Sequence, residues 1–337
     1  MERSGESHMF AEKGGVASAA SYRKLTPTMC LHLAAPHTMA GPAVLTTVFG
    51  GVYSAAEGYD VTPLLWCLLL AVAIFAQAAV NTINDWSDFV GGIDTSENCG
   101  SSIDSVLVYD NPDPRSVLRL GIVYICIALV CGIAAVAICG SAVPLVFGAV
   151  GAAFIICYSV GKVRVSYLPI GEICSGIVMG CLIPMADICA FASYGYAGGA
   201  FEMPPDFSWL STFVVTIPFI LGVGMIMFTN NSSDIERDGP AGRKTMPVLL
   251  GRDASVMCYR SLAVIWIASM LAIVAFGYTD GLWAAIVVIV LQAAHIQRLL
   301  ANPLTPDRRG PSMGTVMKCN VCINGAYIVA IAVSMIL

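Results

Sequence analysis

The sequence predicts an all-α protein, a polytopic membrane bundle of about nine transmembrane helices. Three observations predict it. The chain is 57% hydrophobic and 12% charged, where a soluble domain carries about 25% charge. Its mean hydropathy is +0.79. Its apolar residues fall into runs long enough to cross a bilayer, about 20 residues each.

The runs can be placed in order. They occupy residues 30–55, 62–84, 117–139, 142–160, 169–194, 208–231, 254–277, 281–300 and 316–337. The third and fourth are joined by a short turn at Gly140-Ser141, which makes them antiparallel neighbours. Ahead of them, residues 1–29 are polar and mixed in charge, with no apolar core of the signal-peptide kind. They are expected to form a cytoplasmic tail, and residues 30–337 a single transmembrane domain.

Charge assigns the topology. With nine crossings, all 17 Lys and Arg residues fall on one side. They lie in the N-terminal tail, at 115–119, at 162–164, from 237 to 260 and from 298 to 318. The opposite loops carry Glu57, Asp60, Glu202, Asp206 and Asp280 instead. The positive-inside rule then puts the N-terminus in the cytoplasm of a cell bounded by this membrane. A net charge of −5 gives no reason to expect nucleic-acid binding.

Two carboxylate clusters sit where apolar runs reach that basic side. The first holds Asn81, Asn84, Asp85 and Asp88, and continues through Gly91-Gly92 to Asp94-Thr95. The second holds Asn230, Asn231, Asp234, Glu236 and Asp238, and continues through Gly242-Arg243-Lys244-Thr245. Acids at a membrane surface are costly and usually functional. Asn81 and Asp85, and Asn84 and Asp88, are i,i+4 neighbours, as are Asn230, Asp234 and Asp238, so each set shares a helix face. Grouped carboxylates repel without a cation. Hard oxygen ligands of this kind suit Mg2+, which bridges to substrate phosphates. Asp85, Asp88, Asp234 and Asp238 are therefore the candidate metal ligands and catalytic acids. Arg115, Lys162, Arg164, Arg243 and Lys244 are basic residues near enough in sequence to grip a diphosphate, although the positive-inside rule alone would also place them there. Asn84-x-x-x-Asp88 and Asn230-x-x-x-Asp234 lie 146 residues apart, a weak internal echo.

These residues resemble the UbiA superfamily of intramembrane prenyltransferases. The likeness is carried by Asn84-Asp85-x-x-Asp88-x-x-x-Gly92-x-Asp94-Thr95 and by Asp234-x-x-x-Asp238. Leu107 to Val117, Tyr158-Ser-x-Gly161 with Gly171-Glu172, and Ala241 to Gly251 extend it toward the branch that prenylates 1,4-dihydroxy-2-naphthoate in menaquinone biosynthesis. The resemblance implies a Mg2+-dependent enzyme in the plasma membrane with its active site facing the cytoplasm. It implies transfer from a polyprenyl diphosphate to an aromatic acceptor, with loss of the ring carboxylate. Asn81, Asn84, Asp94, Lys162, Arg164, Asn230, Asn231, Arg243 and Lys244 would line the substrate site. The chain departs from the common pattern at Ala35-Pro36, where relatives carry Arg-Pro, and at Ser96-Glu97-Asn98 and Gly161-Lys162-Val163. Those departures bear on the acceptor, so a sister activity on another quinone precursor remains an alternative.

Other features point elsewhere or nowhere. Asp187 lies inside the fifth run near Pro184, where an acid has either a functional role or a polar partner. Glu172 begins the same run, placed for a role near the acceptor. Cys319-x-x-Cys322 lacks a second pair and reads as packing, as do most of the 13 cysteines. Asn320 and Asn324 read as interhelical hydrogen-bonding residues. A secondary transporter would place acids at the bilayer midplane, whereas here nearly all lie at the cytoplasmic ends.

Overall fold

The computed structural model describes residues 22–96, 105–159, 164–279 and 282–336. Among them the secondary structure is helical, apart from one isolated bridge between Arg23 and Pro112.

Helix α1, Pro27–Ala34, starts where the Thr26 hydroxyl accepts from the Met29 amide. It stops at Ala35, which takes a left-handed φ of 49° before Pro36, because a residue preceding proline is pushed out of helical conformation. A widened turn over Ala40–Leu45 containing Pro42 leads into α2, Thr46–Ala56. The first apolar run is thus bent by 62° rather than straight. Prolines at the bend free backbone carbonyls, which must find donors inside a membrane. Helix α3, Pro63–Val90, supplies them. Its Gln77 donates to Thr38 O at 3.2 Å, Asn81 to Ala34 O at 2.9 Å and Thr82 to Leu33 O at 3.3 Å. Asn81, read from sequence as a substrate ligand, donates both to Ala34 O and to the Thr38 hydroxyl, so it holds the bend of the first run together.

Helix α4, Pro114–Cys139, is capped by Asp113 and ends at Gly140. It runs back beside α3, and α5, Val143–Ser159, follows after the short turn expected. Only 11% of the apolar window of α4 is buried, against 56% for α6, Gly171–Ser193. So α4 lies on the perimeter and α6 near the centre. α6 carries a widened turn at Val178–Leu182, one turn ahead of Pro184. Helix α7, Trp209–Ser233, breaks at Val215-Thr216 just before Pro218. After it come α8, Arg252–Ala275, α9, Leu282–Leu291, α10, Ala293–Leu300, and α11, Arg309–Ser334.

Each of the nine apolar runs is therefore helical. Among the described residues six helices are long and apolar enough to cross a membrane singly, and the bent first pair makes a seventh. α5 is shorter, and the eighth run is interrupted at Gln292 into α9 and α10.

Packing near the centre depends on small residues. Gly176-x-x-x-Gly180 on α6 faces α7 so closely that a methyl at Gly180 would stand 2.5 Å from the backbone of Phe219 and Ile220. Glycines at such spacing let helix backbones approach in lipid, where dispersion and not water exclusion drives association. Phe49, Phe219 and Tyr327 join α2, α7 and α11, with the Phe49 and Phe219 rings 4.5 Å apart. Asn324 accepts from the Trp266 indole at 3.0 Å, the interhelical bond expected. Asn320 makes no such bond; it is wedged against Gly41 and Gly222 instead. Asp187 is buried against Gly50.

Replacing Gly180 with alanine is expected to destabilise the bundle by about 1–3 kcal/mol, because backbone cannot yield as a side-chain tip can. Thermal melting in detergent measures it. Gly148→Ala, also within a helix but with nothing within 4 Å, is the matched control and should leave the melting point unchanged or raise it slightly through the helix preference of alanine.

Candidate active site

The two acid clusters end their helices in the same way. Asp88 lies in the last turns of α3, and four residues later Gly92 takes φ +74°. Ile93 N then turns back to Asp88 O at 2.9 Å. In the second cluster Asp238 closes the short helix Ile235–Asp238, and four residues later Gly242 takes φ +80°. Arg243 N turns back to Asp238 O at 3.0 Å. A left-handed residue is the common way to end a helix, and glycine adopts it without steric cost. The structural match pairs Asp88 with Asp238, whereas the sequence echo pairs Asp88 with Asp234.

The second turn delivers Arg243 between the two clusters. Its Nη2 donates to Asp88 Oδ2 at 2.8 Å, and its Nη1 stands 3.7 Å from Asp238 Oδ1. Arg243 is 7% exposed, Asp88 7% and Asp238 1%. Burial alone would discourage the Arg243 charge, but the Asp88 and Asp238 carboxylates outweigh it and hold the guanidinium charged. Burial pushes the Asp238 carboxyl up, against the pull of Arg243 and Arg237.

Arginines not singled out by the sequence brace the second cluster. Asp234 Oδ2 accepts from Arg237 and from Arg309, each at 3.1 Å. Arg309 also donates to Asn230 Oδ1 at 2.8 Å. Arg252 grips Glu236, Ser232 O and Leu304 O from behind. Arg237 is a local i,i+3 neighbour of Asp234, whereas Arg252 and Arg309 come from α8 and α11, far along the chain, and no local pattern announces their pairing. Tyr167 is a second surprise. The guanidiniums of Arg164 and Arg243 both lie 5.2 Å from its ring centre, and its carbonyl accepts from Lys244 N at 2.8 Å. Arg164 further donates to the Tyr167 hydroxyl at 3.2 Å and approaches Gly91. Cation–π contact of this kind draws the two basic loops and the end of α3 together.

The residues read from sequence thus part company. Asp88, Asp238, Arg243 and Arg164 converge. Asn84 donates to Asp88 Oδ2 at 3.3 Å. Asp85 and Asp94 are half-buried at the same helix end. Asp234 and Asn230 are held by arginine, and Asn231 donates to Glu172 Oε1 at 2.8 Å. Lys244 is exposed, and Asn81 is engaged with the first helix. Lys162 lies outside the described residues.

Among the described residues no three His, Cys, Asp or Glu side chains stand together as a ready metal cage. A divalent cation nonetheless fits the donors present. Both Asp238 oxygens are buried without a hydrogen-bond partner, and an unmet buried acceptor costs about 1–3 kcal/mol. Hard carboxylate oxygens with unfilled lone pairs, facing a second carboxylate across one guanidinium, are the donor chemistry Mg2+ takes. Cys319 and Cys322 pack on His295 and join no such group.

Arg243→Ala leaves two buried carboxylates facing each other without their shared cation. In metal-free detergent it is expected to lower stability by about 3–5 kcal/mol, with partial recovery in Arg243→Lys. Denaturation followed by intrinsic fluorescence checks this.

Comparison with known proteins places this architecture. The UbiA prenyltransferase family model matches residues 43–320. The chain is 30% identical over 246 residues to 1,4-dihydroxy-2-naphthoate octaprenyltransferase of Bacillus subtilis, covering 71% of this chain and 72% of that protein. It is 28% identical to UbiA prenyltransferase domain-containing protein 1 of Mus musculus, over 62% of this chain and 57% of that protein. A UbiA homolog from Archaeoglobus fulgidus, solved bound to DMAPP and Mg2+, superposes with a TM-score of 0.55 at 17% identity, covering 89% of this chain and 99% of that one. A multi-pass helical bundle whose two acid-ended helices meet on one basic loop, matched by this family over most of its length, belongs to the UbiA prenyltransferase family and is a membrane-embedded prenyltransferase.

Proposed function

We propose that the enzyme transfers a polyprenyl group from a polyprenyl diphosphate to 1,4-dihydroxy-2-naphthoate, with decarboxylation to the quinol form of demethylmenaquinone, and depends on Mg2+. The observation that carries this is the convergence of Asp88 and Asp238 on Arg243 with the Asp238 oxygens unfilled. The likeness to the Bacillus subtilis octaprenyltransferase supports the acceptor. The charge sorting of the loops supports an orientation with this end in the cytoplasm, and a plasma-membrane location goes with the proposed quinone chemistry.

Asp88 and Asp238 would hold Mg2+, with Asp85 and Asp234 beside them. Bound there, the metal supplies positive charge to the diphosphate oxygens and so favours its departure. The protein's own groups do the rest. Arg243 and Arg164, both stacked on Tyr167, offer guanidinium donors to the diphosphate. Asn84 keeps the Asp88 carboxylate aimed. The allylic C–O bond breaks with its electron pair leaving on the diphosphate. A ring carbon of the acceptor donates its π electrons to form the new C–C bond. The ring carboxylate leaves as carbon dioxide, and the electrons of that bond restore the aromatic ring. The apolar bundle excludes water, which would otherwise capture the allylic cation.

Membranes carrying the protein, supplied with 1,4-dihydroxy-2-naphthoate and a polyprenyl diphosphate, should form a prenylated, decarboxylated product detected by mass, and EDTA should stop it. Transfer only to a different aromatic acceptor would retain the metal site and reject the acceptor. Asp88→Asn and Asp238→Asn are each expected to cut turnover by about a hundredfold or more while the protein stays folded in the membrane. Near-normal turnover in both would reject the metal assignment.

A further inference from the structure

Glu172 is a buried acid that the diphosphate chemistry leaves unused. It stands in the first turn of α6 and is 3% exposed. Its Oε1 accepts from Asn231 Nδ2 at 2.8 Å. Its Oε2 is buried with no hydrogen-bond partner, and among the described residues no Lys or Arg pairs with it. The contrast with Asp234, gripped by two arginines, is direct. A carboxylate kept only for packing would be expected to have its oxygens filled, because an ionised carboxylate offers about four acceptor positions.

Its location says what could fill it. Asn231, which steadies Glu172, is on α7 three residues before Asp234. Tyr158, buried in the last turn of α5, donates its hydroxyl to Met227 Sδ on α7 at 3.3 Å, so the ends of α5 and α6 both meet α7 beside this turn. Close glycine packing of α6 on α7 sets this distance: a methyl at Gly224 would stand 3.4 Å from the Glu172 carbonyl, and one at Gly176 2.5 Å from the Ile220 carbonyl. Glu172 is therefore held against α7 one turn before Asp234, next to the end of α7 that leads into the second acid cluster.

We infer that Glu172 is the acceptor anchor: its free Oε2 accepts a hydrogen bond from a ring hydroxyl of a hydroxylated aromatic acceptor, while Asn231 fixes its orientation. The inference rests on the reading of the site as one that prenylates an aromatic ring. A carboxylate on the hydroxyl raises electron density in the ring, which is what attack on an allylic cation needs. It also repels an acceptor carboxylate, so the ring binds with its hydroxyl edge toward α6. An acceptor whose hydroxyl is methylated cannot donate and loses this contact.

The test compares a hydroxylated acceptor with its O-methyl ether in the full-length protein and in Glu172→Gln. The wild type should favour the free hydroxyl, and Glu172→Gln should raise the acceptor KM about tenfold or more, the loss of one charge-assisted hydrogen bond. In the variant the preference for hydroxyl over ether should largely vanish, while the KM for the prenyl diphosphate shifts by no more than about twofold. Glu172→Asp, which keeps the charge on a shorter arm, should retain part of the preference and serves if the glutamine variant fails to fold. An unchanged hydroxyl preference in a folded variant, or equal shifts in both KM values, overturns the anchor and leaves the proposed reaction standing. A wild type that binds prenyl diphosphate yet prenylates no hydroxylated aromatic compound sinks both.

Discussion

Two buried carboxylates held within reach of one guanidinium are the constraint on which the functional end of this bundle depends. Like charges in a medium of low polarity repel strongly, and each loses its hydration as well. Arg243 resolves the repulsion between Asp88 and Asp238. Because Asp88 ends α3 and Asp238 follows α7, the ion pair also fixes how those two helices meet. The same guanidinium rests on Tyr167, which carries the loop between α5 and α6 and, through Arg164, touches the end of α3. One residue thus ties three loops. In the proposed reaction a diphosphate arriving with a divalent metal would add little net charge to this arrangement.

The bundle around it solves a different difficulty. Its helices are broken near prolines, and every break frees carbonyls inside a membrane. The first run bends by 62°, and α3 answers with Gln77, Asn81 and Thr82. Widened or broken turns recur in α6 and α7, near Pro184 and Pro218. Glycines then bring those two irregular helices into backbone contact. That contact sets Asn231 against Glu172, so a packing device in the apolar core reaches the chemistry at the helix ends.

Much of this was legible residue by residue. Hydropathy located nine helical runs because lipid demands length and apolarity, which are local properties. The acid clusters stood out because charge is rare and costly at a membrane surface. Gly92 and Gly242 were visible in the motifs, although their common role as left-handed turn residues was not. The runs were less legible as crossings. Pro36 and Pro42 bend the first, and Gln292 interrupts the eighth, so run length overstated straightness. The hold of Asn81 on the first run was not legible, because i,i+4 spacing reports a shared face but not what that face meets.

By itself the sequence determined the class of fold and singled out the two acid clusters at helix ends, since each follows from the cost of placing a given residue in lipid. Only the tertiary structure decided the partners. Arg309 reaches Asp234 across 75 residues, Arg243 reaches Asp88 across 155, and Asn231 reaches Glu172 across 59. Such pairings are set by how helices pack and where they break, and an ion pair between distant residues leaves no periodic signal along the chain.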